Sequence, residues 1–311
     1  MLSRVAERIY WFARHIERAE NTARLMQVYQ KLVLDLPEKA HPGWGSVIEV
    51  LGGHEQYGKR RSKREPEVVH FVVADPHNGS SILSSIASAR ENLRTTREIM
   101  PNEAWELTNG LHLYLSRKAR SDLPRATRHK LFNEVIHRCQ TINGMLGGSM
   151  NHGDPYQFVM LGRNLERADM TTRIVDVGSA TLLGHTDAPL PYDNMLWISV
   201  LRSLSAYQMY RQHVRRRIIG RDVLDFLLRA RQFPRSLAGA LSVIERAVMA
   251  LPRHEHTLRP IDDIKLMLIE TDFDTLKGPA LHEFIDELQL KLARLHGEIA
   301  VTWFRPDLAA A

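Results

Sequence analysis

One short segment occurs twice in this chain, and this duplication restricts the fold more than any other feature. Aligning Glu17 on Glu166 makes six of the thirteen positions from Arg14 to Met26 identical. The identical positions pair Arg14, Glu17, Arg18, Ala19, Thr22 and Arg24 with Arg163, Glu166, Arg167, Ala168, Thr171 and Arg173. The acids Glu20 and Asp169 are also aligned. Because this period is far longer than the roughly 20–50 residues of solenoid repeats, we interpret it as the tandem duplication of a domain-sized unit.

Both copies of the segment have the periodicity of an α-helix. In the first copy the apolar residues follow one another at steps of three and four, namely Val5, Ile9, Phe12, Ile16, Ala19, Ala23 and Met26. This spacing is typical of a helix packed on one face. The β-branched run at residues 68–73 has no second strand candidate to pair with, so we predict a short helix there. We therefore predict an all-α helical bundle.

The duplication extends beyond the two matching segments. After a small change of spacing, Trp44, Ser46, Val47, Leu51 and Tyr57 align with Trp197, Ser199, Val200, Leu204 and Tyr210, and Phe71 and Ser81 align loosely with Phe226 and Ser236. The sequence thus predicts two tandem, pseudo-symmetric helical repeats, at residues 1–152 and 153–311. Whether the two repeats share one continuous core is left open.

Composition excludes several classes of protein. Among 311 residues, 44% are apolar and 25% charged, as in ordinary globular domains, and no apolar run reaches the roughly 18 residues of a membrane span. A single cysteine, Cys139, cannot form an internal disulfide, and the N-terminus lacks the apolar core of a signal peptide. These features predict a cytoplasmic protein without a membrane partner.

The positive net charge raises the question of nucleic-acid binding. The chain carries +6, with visible clusters at residues 59–64 and 215–217. Clustered cations attract phosphates, but the surplus is modest for this length, and we interpret the first cluster as a solvated loop and the second as a helix end. Nucleic-acid binding is therefore the least favoured alternative. No phosphate-binding glycine loop is present, and we predict neither a cofactor nor a metal site.

The repeated Glu-Arg segments are the candidate functional site. The candidates are Arg14, Glu17, Arg18, Glu20 and Arg24 in the first copy, with Arg163, Glu166, Arg167, Asp169 and Arg173 in the second. Residues three and four apart on a helix share a face, and apolar neighbours on these faces predict partial burial. Buried charges need partners, so the glutamates either lock helices together through arginine or the arginines hold an anionic ligand.

These segments resemble the bacterial α-E family, a helical domain named for its Glu-Arg motif and typically found in tandem. The resemblance lies in residues 10–24 (YWFARHIERAENTAR) and 161–173 (LGRNLERADMTTR). Supporting stretches lie at residues 88–94, 103–105 and 233–236, which suggest a secondary cleft with Arg90, Glu91, Asn92 and Arg235. Membership implies a role in peptide synthesis or modification with a circularly permuted ATP-grasp protein as partner. A transglutaminase-like protein is a further implied partner, and the chain is also compatible with a homo-oligomer.

Two functional hypotheses follow. The favoured one is an accessory or scaffold component that works with an ATP-grasp ligase. The alternative is an enzyme acting on peptides or amino acids, with Glu17 or Glu166 as acid or base and neighbouring arginines holding carboxylates. In the first hypothesis the Glu-Arg segments organise the two halves of the chain or form a cleft for an acidic peptide, whereas the second requires a carboxyl group that can exchange protons.

Overall fold

The computed structural model describes residues 1–37, 43–58, 62–119, 123–183, 192–276 and 278–305, with the backbone alone for residues 179–183. Within these ranges the chain forms fourteen α-helices and one short π-helix, and no strand. The predicted all-α class is confirmed. The β-branched run lies in a helix, α4 (Glu65–Val73), whose four valines are all buried, so that packing outweighs their local preference for strands.

The chain divides into two compact units. Among the described residues, the first unit takes those from 1–27 and 43–166, and the second takes those from 28–37 and 167–305. Two long helices contribute to both units, α1 (Ser3–Asp35) and α8 (Asp154–Leu183). Compact units report packing, whereas a duplication boundary concerns ancestry. The predicted boundary after residue 152 therefore stays a prediction.

The first unit continues from α1 through six further helices. They are α2 (Gly45–Val50), α3 (His54–Tyr57), α4, α5 (Ile82–Arg94), α6 (Asn102–Lys118) and α7 (Arg125–Ser149). Helix α2 packs on α3 and α4, and each of α4, α5 and α6 packs on the helix that follows it. Apart from the half-buried Val5, the apolar stripe of α1 is buried, as the periodicity predicts.

The second unit has the same order of packing after α8. Its helices are α9 (Asp193–Ser203), α10 (Tyr207–Val214), α11 (Gly220–Arg229), α12 (Leu237–Met249), α13 (Glu255–Glu270) and α14 (Pro279–Ile299), followed by the π-helix Ala300–Phe304. Helix α9 packs on α10 and α11, and each of α11, α12 and α13 packs on the helix that follows it. This order agrees with a duplication, although pseudo-symmetry itself stays a prediction.

Aligned positions also make similar local contacts. The Tyr57 and Phe71 rings meet edge to face at 4.9 Å, and the Tyr210 and Phe226 rings do so at 5.6 Å. The Ser81 hydroxyl caps α5 by accepting a hydrogen bond from the Ser84 amide, as the aligned serine of the second unit does for α12. Each unit thus orients its fourth and fifth helices with the same two devices.

The two basic clusters have different outcomes. Residues 59–61 lie outside the described ranges. In the second cluster, Arg215 adopts a left-handed conformation directly after α10, and Arg216 donates two hydrogen bonds to Asp222. The second cluster is therefore a helix end, as one of the two sequence interpretations predicted.

No helix in the described part of the chain is both long and apolar enough to cross a bilayer.

Candidate functional site

The strongest feature of the Glu-Arg segments is a charge cluster between α1 and α8, within the first unit. Arg14 Nε donates to Glu166 Oε2 at 2.7 Å. Arg18 donates to both oxygens of the same carboxylate, from Nε at 2.5 Å and from Nη2 at 3.0 Å. Arg14 and Arg18 are four residues apart, so one face of α1 presents both guanidinium groups to the carboxylate. The glutamate of the second copy is thus held by the arginines of the first.

The carboxylate at the centre of this cluster is almost completely removed from water. The Glu166 side chain is 2% exposed. Burial alone would raise the pKa of its carboxyl group, but the charges and hydrogen bonds of Arg18 and Arg14 outweigh burial and lower that pKa to about 2. The Arg14 guanidinium carbon also lies 5.0 Å from the centre of the Trp11 ring. Glu166 therefore remains a carboxylate throughout the neutral range.

A glycine permits the close approach of the two helices. A Cβ atom at Gly162 would lie 2.2 Å from the carbonyl oxygen of Tyr10, a separation that real atoms do not adopt. It would also lie 3.3 Å from the Cβ of Ala13, which is the residue aligned with Gly162. Sequence reasoning missed this role. Its signal was the glycine itself, since a glycine inside a helix is destabilising without a packing reason.

His15 is a second group that the sequence did not single out. Its ring lies 5.6 Å from that of Trp11. Burial, with a smaller contribution from the charge of Arg18, lowers the pKa of His15 to about 4. The imidazole beside the arginines is therefore neutral at pH 7, which keeps a further positive charge out of a cluster that already has two cations and one anion.

Glu20, in the first copy of the motif, belongs to a separate ion pair. Arg24 Nη2 donates to Glu20 Oε1 at 2.7 Å, one helical turn away, and the Glu20 side chain is 1% exposed. From α7, Gln140 Nε2 donates to the same oxygen at 3.4 Å. The neighbouring Cys139 thiol is fully buried, and burial followed by the charges of Glu20 and Glu17 raises its pKa well above the ordinary value. This thiol is a core group rather than a nucleophile.

The remaining members of the motif are distributed as follows. Glu17 is fully buried on α1, and Arg163 Nη2 lies 2.8 Å from the Met160 sulfur on α8. Arg167 follows Glu166 on α8. In the second unit Arg173 Nε donates to Asp169 Oδ2 at 3.0 Å, and both side chains are partly exposed. The motif is thus two kinds of ion pair, one deeply buried and one closer to water.

The predicted secondary cleft has a different character. Arg90 Nε donates to Asn109 Oδ1 at 2.7 Å, and its guanidinium lies over the Trp105 ring on α6. Glu91 is exposed and pairs with Arg94, while the Asn92 carbonyl accepts from a threonine hydroxyl one turn along the chain. Arg235 lies in the second unit, where its carbonyl accepts a hydrogen bond from Thr171. A role of these residues as a cleft stays a prediction.

The geometry indicates what the buried cluster can do chemically. General acids and bases work best when their pKa lies near the operating pH, and Glu166 is far below it. The arginines bind a carboxylate that the chain itself supplies, and this bidentate arrangement fixes the register of two helices. Binding of an external anion by the other guanidinium nitrogens stays a prediction.

Comparison with known proteins identifies relatives of the whole chain. A family described as "Alpha-E: A predicted alpha-helical domain with a conserved ER motif" matches residues 1–304. The chain is also 21% identical, over 320 aligned residues, to the uncharacterized proteins Mb2597 of Mycobacterium bovis and Rv2567 of Mycobacterium tuberculosis. The alignment covers 95% of this chain but 35% of each relative, so the chain spans about a third of their length. No solved structure matches the chain significantly.

Proposed function

The chain belongs to the Alpha-E family, and from this premise we propose that it is an accessory or scaffold component of a peptide synthesis or modification system, working with an ATP-grasp ligase. The role in such a system follows from the family resemblance. The geometry of the motif around Glu166 supports the choice of scaffold over enzyme.

The observation that carries this choice is the saturation of Glu166. Its carboxylate accepts three hydrogen bonds from Arg14 and Arg18, and its pKa of about 2 keeps it ionised. A proton-transferring glutamate needs a pKa raised towards neutrality, which burial without cations would produce. The cations reverse that effect here. The motif named for the family is therefore better suited to hold helices than to exchange protons.

The mycobacterial relatives place a similar region beside others. In those proteins the region similar to this chain makes up 35% of a longer polypeptide. Regions that act together are often found within one polypeptide. The arrangement in those relatives therefore supports a role for this chain that is carried out together with another protein region.

Co-expression tests the proposal directly. The full chain carrying an affinity tag is produced with the ATP-grasp protein of the same genome, and an unrelated helical protein of similar charge serves as the control for ionic binding. We expect the ligase to be retained at a fixed ratio through a wash at moderate salt, and its product yield to fall when the chain is omitted. Full ligase activity without the chain, together with no retention, would overturn the proposal.

A parallel experiment distinguishes the enzyme alternative. If Glu166 is catalytic, Glu166→Gln abolishes turnover by the isolated chain and leaves the melting temperature nearly unchanged. If it is a structural pair, the same variant melts markedly lower, because two buried cations lose their shared anion. The structural outcome is expected.

A further inference from the structure

Three side chains in the second unit form a cluster that the functional proposal does not use. His282 and Asp286 lie one turn apart on α14, and Asp176 lies on α8. The imidazole Nδ1 is 2.7 Å from Asp176 Oδ1, and Nε2 is 3.5 Å from Asp286 Oδ2. One ligand atom from each residue lies within 4.8 Å of the other two. Each nitrogen of a single imidazole thus faces its own carboxylate.

The two imidazole nitrogens lie at different distances from their carboxylates. At 2.7 Å, Nδ1–H donates a normal hydrogen bond to Asp176, which is half-buried. At 3.5 Å, Nε2 and the Asp286 oxygen are at the outer limit of a hydrogen bond. Two ligands of a tetrahedral zinc ion, with metal–nitrogen and metal–oxygen bonds of about 2.0–2.2 Å, are separated by about 3.4 Å. The wider gap therefore has the width that a bridging ion requires.

Asp176 occupies the position of an outer-shell partner. Histidines that bind metals usually donate their other N–H to a carboxylate, which fixes the tautomer and makes the free nitrogen more basic. Here the carboxylate on Nδ1 leaves Nε2, which lies 3.5 Å from Asp286 Oδ2, as the nitrogen that can bind a metal ion. The imidazole is 57% exposed, so an ion and its water ligands can reach it from solvent.

We propose that His282 Nε2 and the Asp286 carboxylate bind a divalent transition cation such as Zn²⁺, with Asp176 orienting the imidazole and water completing the coordination. On binding, the ion replaces any proton on Nε2, which is released to solvent, while Nδ1 keeps its proton and its bond to Asp176. The sequence did not reveal this cluster, because 106 residues separate Asp176 from His282.

Competition with protons provides a specific signature. The hydrogen bond and charge of Asp176 raise the pKa of His282, and Asp286 and Glu283 add to this effect. Burial raises the pKa of Asp176, and the interactions with His282 and Arg173 oppose this rise. Because a protonated imidazole cannot bind a metal ion, the apparent affinity for the cation should fall as the pH is lowered.

The test uses the untagged full chain, freed of metal with a chelator, and titration calorimetry with Zn²⁺. We expect the parent to bind Zn²⁺ saturably at one site. This binding should be lost in His282→Ala and Asp286→Asn, and its affinity should be about 10–100-fold weaker in Asp176→Asn. Glu287→Gln, an exposed change on the same helix, is the matched control and should bind as the parent does. Unfolding curves in chelator keep the comparison valid, since each variant must retain a cooperative transition.

Co²⁺ gives a second readout, since visible bands of a nitrogen and oxygen site should appear in the parent and not in His282→Ala. Fifteen histidines occur in the chain, so the difference between variants, rather than total uptake, decides the result. Equal binding by the parent and a folded His282→Ala variant would overturn the proposal, as would the lack of saturable binding at about millimolar Zn²⁺ and pH 7.5. Neither result would affect the scaffold proposal, which rests on α1 and Glu166.

Discussion

The aligned acids Glu20 and Asp169 occupy different environments although each pairs with an arginine four residues later. Glu20 is 1% exposed and Arg24 is 13% exposed, with 2.7 Å between them. Asp169 is 24% exposed and Arg173 is 32% exposed, with 3.0 Å between them. The same sequence pattern thus gives a buried ion pair in the first unit and a surface-like pair in the second.

The difference has a local cause. In the first unit α7 covers Glu20, contributing the amide of Gln140 and the buried Cys139. Aspartate is one methylene shorter and stays nearer its own helix, which leaves the pair closer to solvent. By contrast, the tyrosine–phenylalanine contacts and the serine caps are alike in both units. Aligned positions therefore retain helix packing more closely than they retain the burial of charge.

Replacing Glu166 should have the largest effect on this contrast. Glu166→Gln removes the anion that Arg14 and Arg18 share, and leaving buried charges uncompensated destabilises a fold by about 3–5 kcal/mol. Chemical denaturation with both the midpoint and the slope fitted measures the loss. Glu91→Gln, which breaks an exposed pair, is the control and should change the free energy of unfolding by less than about 1 kcal/mol. Equal effects of the two variants would show that burial of the cluster is not what stabilises it.

Acidification should act next most strongly, through His15. Its pKa falls from 6.5 when unfolded to about 4 in the folded chain, so between these pH values the unfolded state binds more protons. Stability contributed by the neutral imidazole is complete above pH 6.5 and is lost as pH falls towards 4. The full loss corresponds to roughly 3 kcal/mol. Urea unfolding measured across this pH range should show that the free energy of unfolding depends less on pH in His15→Gln than in the parent.

His282 provides the control of opposite sign. Its pKa is raised by Asp176, so its contribution is present below pH 6.5 and is lost as pH rises through the raised value. His282→Gln should therefore change the free energy of unfolding at neutral to alkaline pH and leave its steep fall at acid pH unchanged. If His15→Gln also left the fall at acid pH unchanged, the burial of the neutral His15 ring would be contradicted.

Sequence periodicity predicted the helices because burial of an apolar stripe follows directly from residue spacing, as on α1. It could not choose between partners for Glu166, since the two copies offer chemically equivalent arginines. Nor could it separate Glu20 from Asp169, because covering by α7 depends on contacts more than 100 residues apart in the chain. Gly162 was readable in principle, as a glycine inside an otherwise regular helix, but only the position of the Tyr10 carbonyl explains it.

Filling the space at Gly162 should destabilise the chain by about 1–3 kcal/mol or more. Gly162→Ala places a methyl group against the backbone oxygen of Tyr10, which can move only if the two helices separate. Thermal unfolding measures the effect. Gly144→Ala on α7 is the matched control, because a Cβ there contacts nothing within 4 Å, and the change should stabilise the helix by up to about 1 kcal/mol. If both alanines stabilised the chain, the close contact between α1 and α8 would be wrong.

The smallest expected effect is also the direct test of the difference between Glu20 and Asp169. Glu20→Gln should cost more than Asp169→Asn by about 1–2 kcal/mol, because a buried charged hydrogen bond is worth more than one near water. Raising the salt concentration should reduce the loss of stability that Asp169→Asn causes relative to the parent. The loss caused by Glu20→Gln should stay nearly unchanged, since ions screen exposed pairs far more than buried ones. Denaturation of both variants at low and high salt measures this. Equal losses with equal salt dependence would mean that the two aligned pairs have the same environment, and that the contrast between the units lies elsewhere.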